Sequence, residues 1–358
     1  MQIGFAPSRI DRDCGLGETS SAILAAVDDR NVHCARLIRF VLAGAAVGSV
    51  LPDAHAQATF ARPVRILVPV AAGGTTDLTA RLIADGIRAS VGQPVVVENR
   101  PGATGRIAAE ALKHAAADGT TFLLAPIVVS VLAPLVFRDL SYDPSKDFAP
   151  VAQVARYSFA FAVRPDHPAR TVPEFVAWAK VNPAQARFGT AGSGSIPHLL
   201  GVMVSRATGT DLVHASYSSL AQVQSELIAG QIAAAISAFA DFLALDRAGK
   251  VRIIATSATG RSPRLPAVPT FVEQGFPAVV AVGWNAVYAP AGTPKPLIDR
   301  LSVAIARALR TPAIREKLMD LGLEPVGTTP DELAAIIAAD TAHWAPVVRA
   351  AGFAADGR

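Results

Sequence analysis

One segment constrains this chain more than any other. A short β-branched run at 64–70 meets Ala71-Ala72-Gly73-Gly74-Thr75-Thr76-Asp77, and a helical pattern runs from Leu78 onward. Runs of that kind read as buried parallel strands. Gly73 and Gly74 let the backbone turn tightly and approach a ligand. Thr75 or Thr76 is expected to cap the helix, with Asp77 in its first turn. Unpaired amides at such a helix start, with the positive end of the macrodipole, make a small anion site that needs no Arg or Lys. Taken alone, the segment reads first as a βα turn that merely packs well. It sharpens to a ligand site in the context of export.

The export signal sits deep in the chain. Arg36 and Arg39 form a basic n-region, residues 40–51 an apolar h-region, and Ala54-His55-Ala56 or Ala56-Gln57-Ala58 a small-x-small cleavage pattern. The expected organisation is a mis-assigned N-terminal extension at 1–35 and a signal peptide at 36–58, with the true start near Val32 or Leu37. The apolar run is too short to span a bilayer as a helix, and no later stretch is both long and charge-free enough. Cys34 precedes the h-region, so it is no lipoprotein cleavage cysteine. Cys14 and Cys34 are the two cysteines, and both precede the expected cleavage site, which leaves no disulfide, thiolate metal site or cysteine nucleophile.

Residues 62 onward alternate strands and helices through short connections, the signature of parallel sheets with covering helices. Strands are expected at 95–97, 120–124, 151–154, 159–163, 212–214, 232–236, 251–256 and 279–288. Helices are expected at 104–116, 172–181, 197–207, 220–229 and 239–248, followed by a helical last third. Thr171-Val172-Pro173-Glu174 and Thr329-Pro330-Asp331-Glu332 read as capping boxes. The opening theme recurs in mid-chain, where Arg187-Phe188 leads into Gly189-Thr190-Ala191-Gly192-Ser193-Gly194-Ser195 and a helix. Two glycine-rich helix starts, one per half, suggest two lobes facing a shared cleft. The net charge of +4 is spread without a basic block, and aromatics are not interleaved with Arg, which argues against nucleic acid.

Catalytic patterns are weak. Ser195 stands where a phosphate loop needs lysine, and Ala191 breaks the G-x-S-x-G elbow around Ser193. His198 and His214 lack the spacing of a helical metal pair, and no metal site or cofactor is expected. Glu98, Asp143 and Asp147 read as turn or cap residues. His198 serves either the cleft or packing, Tyr217 can offer a hydroxyl to a ligand, and Trp284 lines a cleft or fills a core.

Several long motifs, in order, resemble the Bug family, the extracytoplasmic solute-binding proteins of tripartite tricarboxylate transporters. They are Val68 to Asp77, Val97-Glu98-Asn99-Arg100-Pro101-Gly102-Ala103-Thr104-Gly105, Tyr142-Asp143-Pro144-Ser145-Lys146-Asp147-Phe148, Gly189 to Gly194 with His198, Ala289-Pro290-Ala291-Gly292-Thr293-Pro294-Lys295-Pro296, and Glu324-Pro325-Val326-Gly327. The resemblance covers 62–353. It implies an α/β, two-lobed periplasmic binding protein of the Venus-flytrap type (type II-like), with a parallel-rich sheet in each lobe and strand crossovers between them. Lobe 1 would be 62–164 plus 288–358, and lobe 2 would be 165–287. A small carboxylate would be held by loop amides, hydroxyls and water, often without a direct salt bridge. The implied contacts are Gly73, Gly74, Thr75, Thr76 and Asp77 on one wall. On the other they are Thr190, Ala191, Gly192, Ser193 and His198, with Tyr217 nearby. Asp77 is expected to order its loop rather than touch an anion, since like charges repel.

Departures from the family pattern bear on the ligand. Ala71-Ala72 replaces a proline pair, Pro126-Ile127-Val128-Val129 replaces small polar residues, Ser218-Ser219 replaces Lys-Gly, and Ser237-Ala238 replaces Asp-Asn. These imply a less polar cleft and a ligand with an uncharged or apolar distal part, such as an aromatic or branched monocarboxylate. The expectation is therefore a periplasmic, monomeric carboxylate receptor serving membrane permease subunits. Its rivals are a secreted hydrolase centred on Ser193 and a binding protein that feeds a sensor kinase.

Overall fold

The computed structural model of the protein describes residues 60–352. The expected extension, the signal peptide, both cysteines and residues 353–358 lie outside the described residues.

Strands β1 (Val64–Val68), β2 (Val95–Asn99) and β3 (Thr121–Pro126) are parallel, with β1 in the middle. β1 stops at Val68, short of the expected 70, because Pro69 has no N–H to continue the ladder. Helix α1 (Thr75–Val91) lays Ile83 and Ile87 on the sheet beside Ile66 and Phe122. Each such fully buried side chain contributes roughly 1.5–3 kcal/mol. Gly92 then closes α1 in the left-handed region, φ 72°. The helix expected at 104–116 is shorter: a 3-10 turn at Ala103–Gly105 precedes α2 (Arg106–Lys113). After β3 comes a π-helical turn at Val128–Leu132, which no periodicity in the sequence announces.

The two short runs expected at 151–154 and 159–163 are one strand, β4 (Phe148–Val163). The polar stretch between them stays extended because β9 (Val282–Pro290) pairs along it and the two-residue β10 (Glu324–Pro325) joins at Ala155 and Arg156, and tertiary pairing overrides local polarity. The first part of β4 runs antiparallel to both. Its last part, from Phe159, runs antiparallel to β7 (Ala234–Ala238) and β8 (Arg252–Thr256). β7 is parallel to β5 (Arg187–Ala191), and β5 to β6 (Val213–Tyr217). The result is a continuous sheet of order β2-β1-β3-β9-β4-β7-β5-β6 in which β4 belongs to two regions. The first is β2-β1-β3-β9-β4-β10 and the second β6-β5-β7-β4-β8.

The change of partners falls between Ser158 and Phe159, and the return is complete by Val282. Both points fall a few residues before the corresponding limits of 164 and 288 read from the sequence. Ser257, fully buried, binds these crossings together. Its hydroxyl accepts from Phe159 N–H and donates to the Ala281 carbonyl, while its own N–H donates to the Phe159 carbonyl.

The second region is covered by α3 (Val172–Val181), α4 (Ile196–Thr208), α5 (Leu220–Ala229) and α6 (Phe239–Arg247). Thr171 caps α3, but Glu174 reaches Arg170 N–H rather than Thr171 N–H, so only half of the expected box forms. The box at Thr329 and Glu332 is complete. It opens α9 (Pro330–Ala350), which follows α7 (Lys295–Arg310) and α8 (Pro312–Asp320). α9 packs on β4, on the π-helical turn and on α4, so it touches both regions. Trp284 is core, 1% exposed, with its indole N–H donating to Asp340 of α9. Burial pushes the Asp340 carboxyl up from its usual range. Among the described residues no helix is long and apolar enough to cross a membrane.

Candidate ligand-binding site

Both glycine-rich loops leave the C-terminal ends of parallel strands, where open α/β sheets bind their ligands. The first follows β1. Gly74, not a threonine, stands at the N-cap of α1, and no side chain caps that helix. The expectation of a Thr75 or Thr76 cap is therefore corrected. Both threonines lie inside the first helical turn, and the Thr79 hydroxyl bonds back to the Thr75 carbonyl instead. Gly73, Gly74 and Thr75 are exposed and Thr76 is half-buried. The Thr76 hydroxyl approaches Asn285 Oδ1 of β9 at 3.5 Å, at the limit of a hydrogen bond.

Asp77 is only 1% exposed, and its carboxylate is fully engaged. It accepts from Gly73 N–H at 2.9 Å, from Arg81 Nε and Nη2 at 3.0 Å each, and from Asn99 Nδ2 at 2.8 Å. Asn99 also donates to the Val70 carbonyl at 3.0 Å, which ties the loop to the end of β2. Burial opposes the charge of Asp77, but these donors outweigh it and hold the carboxyl below its usual value. Asp77 therefore braces the loop, and no side chain caps the first turn of α1.

The second loop follows β5. Gly192 and Gly194 adopt φ of +87° and +74°, which side-chain-bearing residues rarely do. Ser195 caps α4 by accepting from His198 N–H and donates to the Gly192 carbonyl. Ala191 and Ser193 are exposed, whereas Thr190 is fully buried. The Thr190 hydroxyl contacts His214 Nε2 at 2.8 Å and donates to the Gly192 carbonyl at 3.3 Å, so it shapes the loop from beneath. His198, 8% exposed, accepts Gly194 N–H at Nδ1, 3.1 Å. Its ring lies on that of His214, centroids 3.7 Å apart and planes within 16°. Burial, then the neighbouring His214, pushes the His198 imidazole down to about 4, and burial also lowers His214. Both rings are thus neutral at neutral pH. Tyr217 ends β6, its carbonyl accepts Gly192 N–H at 3.1 Å, and its ring covers Gly189, where a Cβ would meet Tyr217 Cε2 at 3.0 Å.

The structure gathers the sequence-derived residues into two groups, Gly73 to Asp77 at β1 and Thr190 to His198 with Tyr217 at β5 and β6. Sequence reasoning missed Arg81, Asn99 and Asn285, and it placed no role on His214. Arg81 lies one helical turn from Asp77, an i,i+4 spacing that is readable in the sequence. Asn99 and His214 come from neighbouring strands and carry no local signal. The apolar character inferred from Pro126-Ile127-Val128-Val129 is only partly available to a ligand, because Ile127 and Val129 are fully buried in the core. The Ser237 hydroxyl is taken by Asp241 Oδ2.

Several known proteins are similar to this chain in sequence and fold. The model of the tripartite tricarboxylate transporter family receptor matches residues 79–353. Protein BugT of Bordetella pertussis is 34% identical over 325 residues, covering 90% of this chain and 99% of that one. The solved structure of MatC from Rhodopseudomonas palustris with bound malate is 31% identical, with a TM-score of 0.68 over 80% of this chain and 99% of that chain. A second R. palustris protein, solved with adipate, is 32% identical, with a TM-score of 0.72 over 82% and 98% of the two chains.

Proposed function

Because the chain belongs to the tripartite tricarboxylate transporter receptor family, we propose that its two glycine loops are the opposing walls of a cleft that closes on a small carboxylate. It is a two-lobed solute-binding receptor of that transport system. Lobe 1 is 62–164 with 288–358 and lobe 2 is 165–287, with β4 and the return to β9 as the crossings. Thr75 and Thr76 offer amides and hydroxyls from lobe 1, beside the turn of Gly73 and Gly74 that Asp77 positions. Ala191, Ser193 and the Tyr217 hydroxyl offer theirs from lobe 2, with Gly192 and His198 shaping the wall and Thr190 positioning it. The observation that carries the reading is the α1 N-terminus, uncapped by any side chain and braced from behind by a fully engaged carboxylate. Such a terminus favours an anion without a cationic side chain. The relatives solved with malate and adipate support a carboxylate as that anion.

Contacts completed only when the lobes meet select the closed state, so ligand affinity includes the free energy of closure. The protein acts in the periplasm after loss of its signal peptide, as a monomer delivering ligand to the membrane permease subunits. It performs no chemistry on the ligand. Ser193 has no hydrogen-bond partner among the described residues, and His198 Nδ1 is occupied by Gly194 N–H rather than poised against Ser193. The ligand class favoured by the sequence, an aromatic or branched monocarboxylate, rests on Pro126, Val128 and Ala238 rather than on the buried Ile127 and Val129.

Calorimetric titration of refolded, ligand-stripped protein tests this reading. The panel holds di- and tricarboxylates, acidic amino acids and aromatic monocarboxylates, each paired with its amide. Tight binding of one acid and none of its amide is expected, with no turnover of generic esters. Silence across the whole panel overturns the carboxylate assignment. Tight binding of a tricarboxylate, with aromatic acids excluded, overturns the apolar distal subsite alone.

A further inference from the structure

At the β4 crossing, apart from the strands that carry the glycine loops, lies a cavity of about 420 Å³. In sheet order the glycine loops stand at β1 and β5, whereas this cavity stands at β10, β4 and β8. One wall is the segment that follows β8 and carries Arg261 and Arg264. The opposite wall is α8 and β10, carrying Arg315 and Glu324, and Arg156 and Tyr157 of β4 line it between them.

The guanidinium groups are only partly matched by carboxylates. Arg156 pairs with Glu324 at 2.7 and 2.9 Å, Arg261 with Glu273 at 2.9 and 3.0 Å, and Arg264 with Asp320. Arg315, exposed on α8, makes no close ion pair among the described residues, though its charge reaches Glu324, so the lining keeps a net positive charge. Each paired guanidinium also retains N–H groups beyond those its carboxylate uses. Arg264 Nε donates to the Met319 carbonyl at 3.2 Å, which fixes the lobe 2 segment against the end of α8.

Deeper in, the lining is apolar, with Phe239 5% and Leu323 4% exposed beside Val282. The Tyr157 ring crosses Gly283, where a Cβ would meet ring carbon Cε2 at 2.4 Å. The Tyr157 hydroxyl has no hydrogen-bond partner among the described residues. Burial pushes it up to about 12, so at neutral pH it keeps its proton and can donate it. Cationic donors at the rim, a spare hydroxyl donor and an apolar floor together fit one kind of molecule.

We propose that this cavity is a second binding site, for an organic anion with a single acidic head and an apolar body. The head meets Arg315 and the unused guanidinium N–H groups, and the body lies against Phe239 and Leu323. The volume is within the range of small-molecule sites. Because the walls come from both lobes, an occupant favours whichever interlobe angle keeps both in contact. This site does not depend on the carboxylate assignment of the glycine loops.

The probe is 8-anilinonaphthalene-1-sulfonate, an amphipathic organic anion that fluoresces in apolar surroundings. It is titrated into the folded, signal-free chain with melting followed in parallel. The expected result is one saturable site with a micromolar Kd. Arg315→Glu should weaken binding at least tenfold and Tyr157→Phe a few-fold. Arg88→Glu, which changes the net charge equally on exposed α1, should leave it unchanged. Three outcomes each overturn the proposal: no saturable site up to millimolar probe, equal losses in Arg315→Glu and Arg88→Glu, or full affinity in Arg315→Glu with a native melt.

Discussion

The loop before α1 and the loop before α4 have the same plan, a parallel strand, two glycines and a helix start, yet they are braced by opposite means. At 73–77 the brace is ionic, with Asp77 buried beneath the loop and held by Arg81, Asn99 and the Gly73 amide. At 192–198 the brace is neutral, with two stacked imidazoles and the Thr190 hydroxyl supporting the turn. The helix ends differ accordingly, since α4 is capped by Ser195 and α1 by no side chain. A first-turn amide spent on a cap is not available to a ligand. On the proposed reading, the uncapped first-turn amides of α1 hold the anion, and the second loop contributes mainly shape and hydroxyl contacts.

Removing the ionic brace should have the largest effect. Asp77→Ala takes the acceptor from the Gly73 amide, from Arg81 Nε and from one Asn99 N–H, and a loss of about 3 kcal/mol in urea unfolding is expected. Ligand binding should fall with it, and a melt unchanged from the parent would break the ionic half of the comparison.

Breaking the neutral brace should cost less. His198→Leu removes the acceptor for Gly194 N–H, with an expected loss of about 1–2 kcal/mol. The same variant carries a pH signature. The folded-state value of His198, about 4, lies below its ordinary 6.5, so the unfolded chain binds the proton first. Stability from this group is complete above pH 6.5, falls as the pH drops from 6.5 to about 4, and is flat below that. Melting temperatures measured across that window should show a slope that His198→Leu reduces. The Asp77 contribution is full above its ordinary value of 3.8 and is lost only below it, as the pH falls through the depressed folded-state value. The two loops should therefore lose their support in separate acid ranges, and a single coincident step would contradict the distinction.

The caps provide the finest test. Ser195→Ala should cost about 1 kcal/mol, the usual price of an N-cap. Gly74→Ser should do the reverse at α1. Gly74 has φ −70° and ψ 159°, and an added Cβ meets nothing closer than 3.5 Å, so a side chain fits there. A gain of a few tenths of a kcal/mol in stability is expected, together with weaker carboxylate binding in calorimetry. Undiminished affinity in a stabilised Gly74→Ser variant would show that the α1 amides do not hold the anion.

Local chemistry made part of this legible in the sequence. The strand–glycine–helix turns at 64–91 and 187–208 were readable because glycine placement and periodicity act within a few residues. The complete box at Thr329 and Glu332 was readable for the same reason, whereas Glu174 found Arg170 N–H instead of its expected target. What escaped the sequence depends on partners distant along the chain. Residues 155–158 look too polar for a buried strand, yet β9 pairs with all of them and β10 with Ala155 and Arg156 from the other side. His214 looked like an isolated strand histidine until the pairing of β5 with β6 set it beside Thr190 and under His198.

The sequence by itself therefore determined the two glycine loops, their place at strand ends, and the family, because these depend on short-range backbone freedom and ordered motifs. Only the tertiary structure decided that Asn99 and Arg81 complete the grip on Asp77, that two histidines stack beneath the second loop, and that β4 serves both lobes. Those arrangements are contacts between elements, and their free energy exists only once the sheet order has brought the elements together.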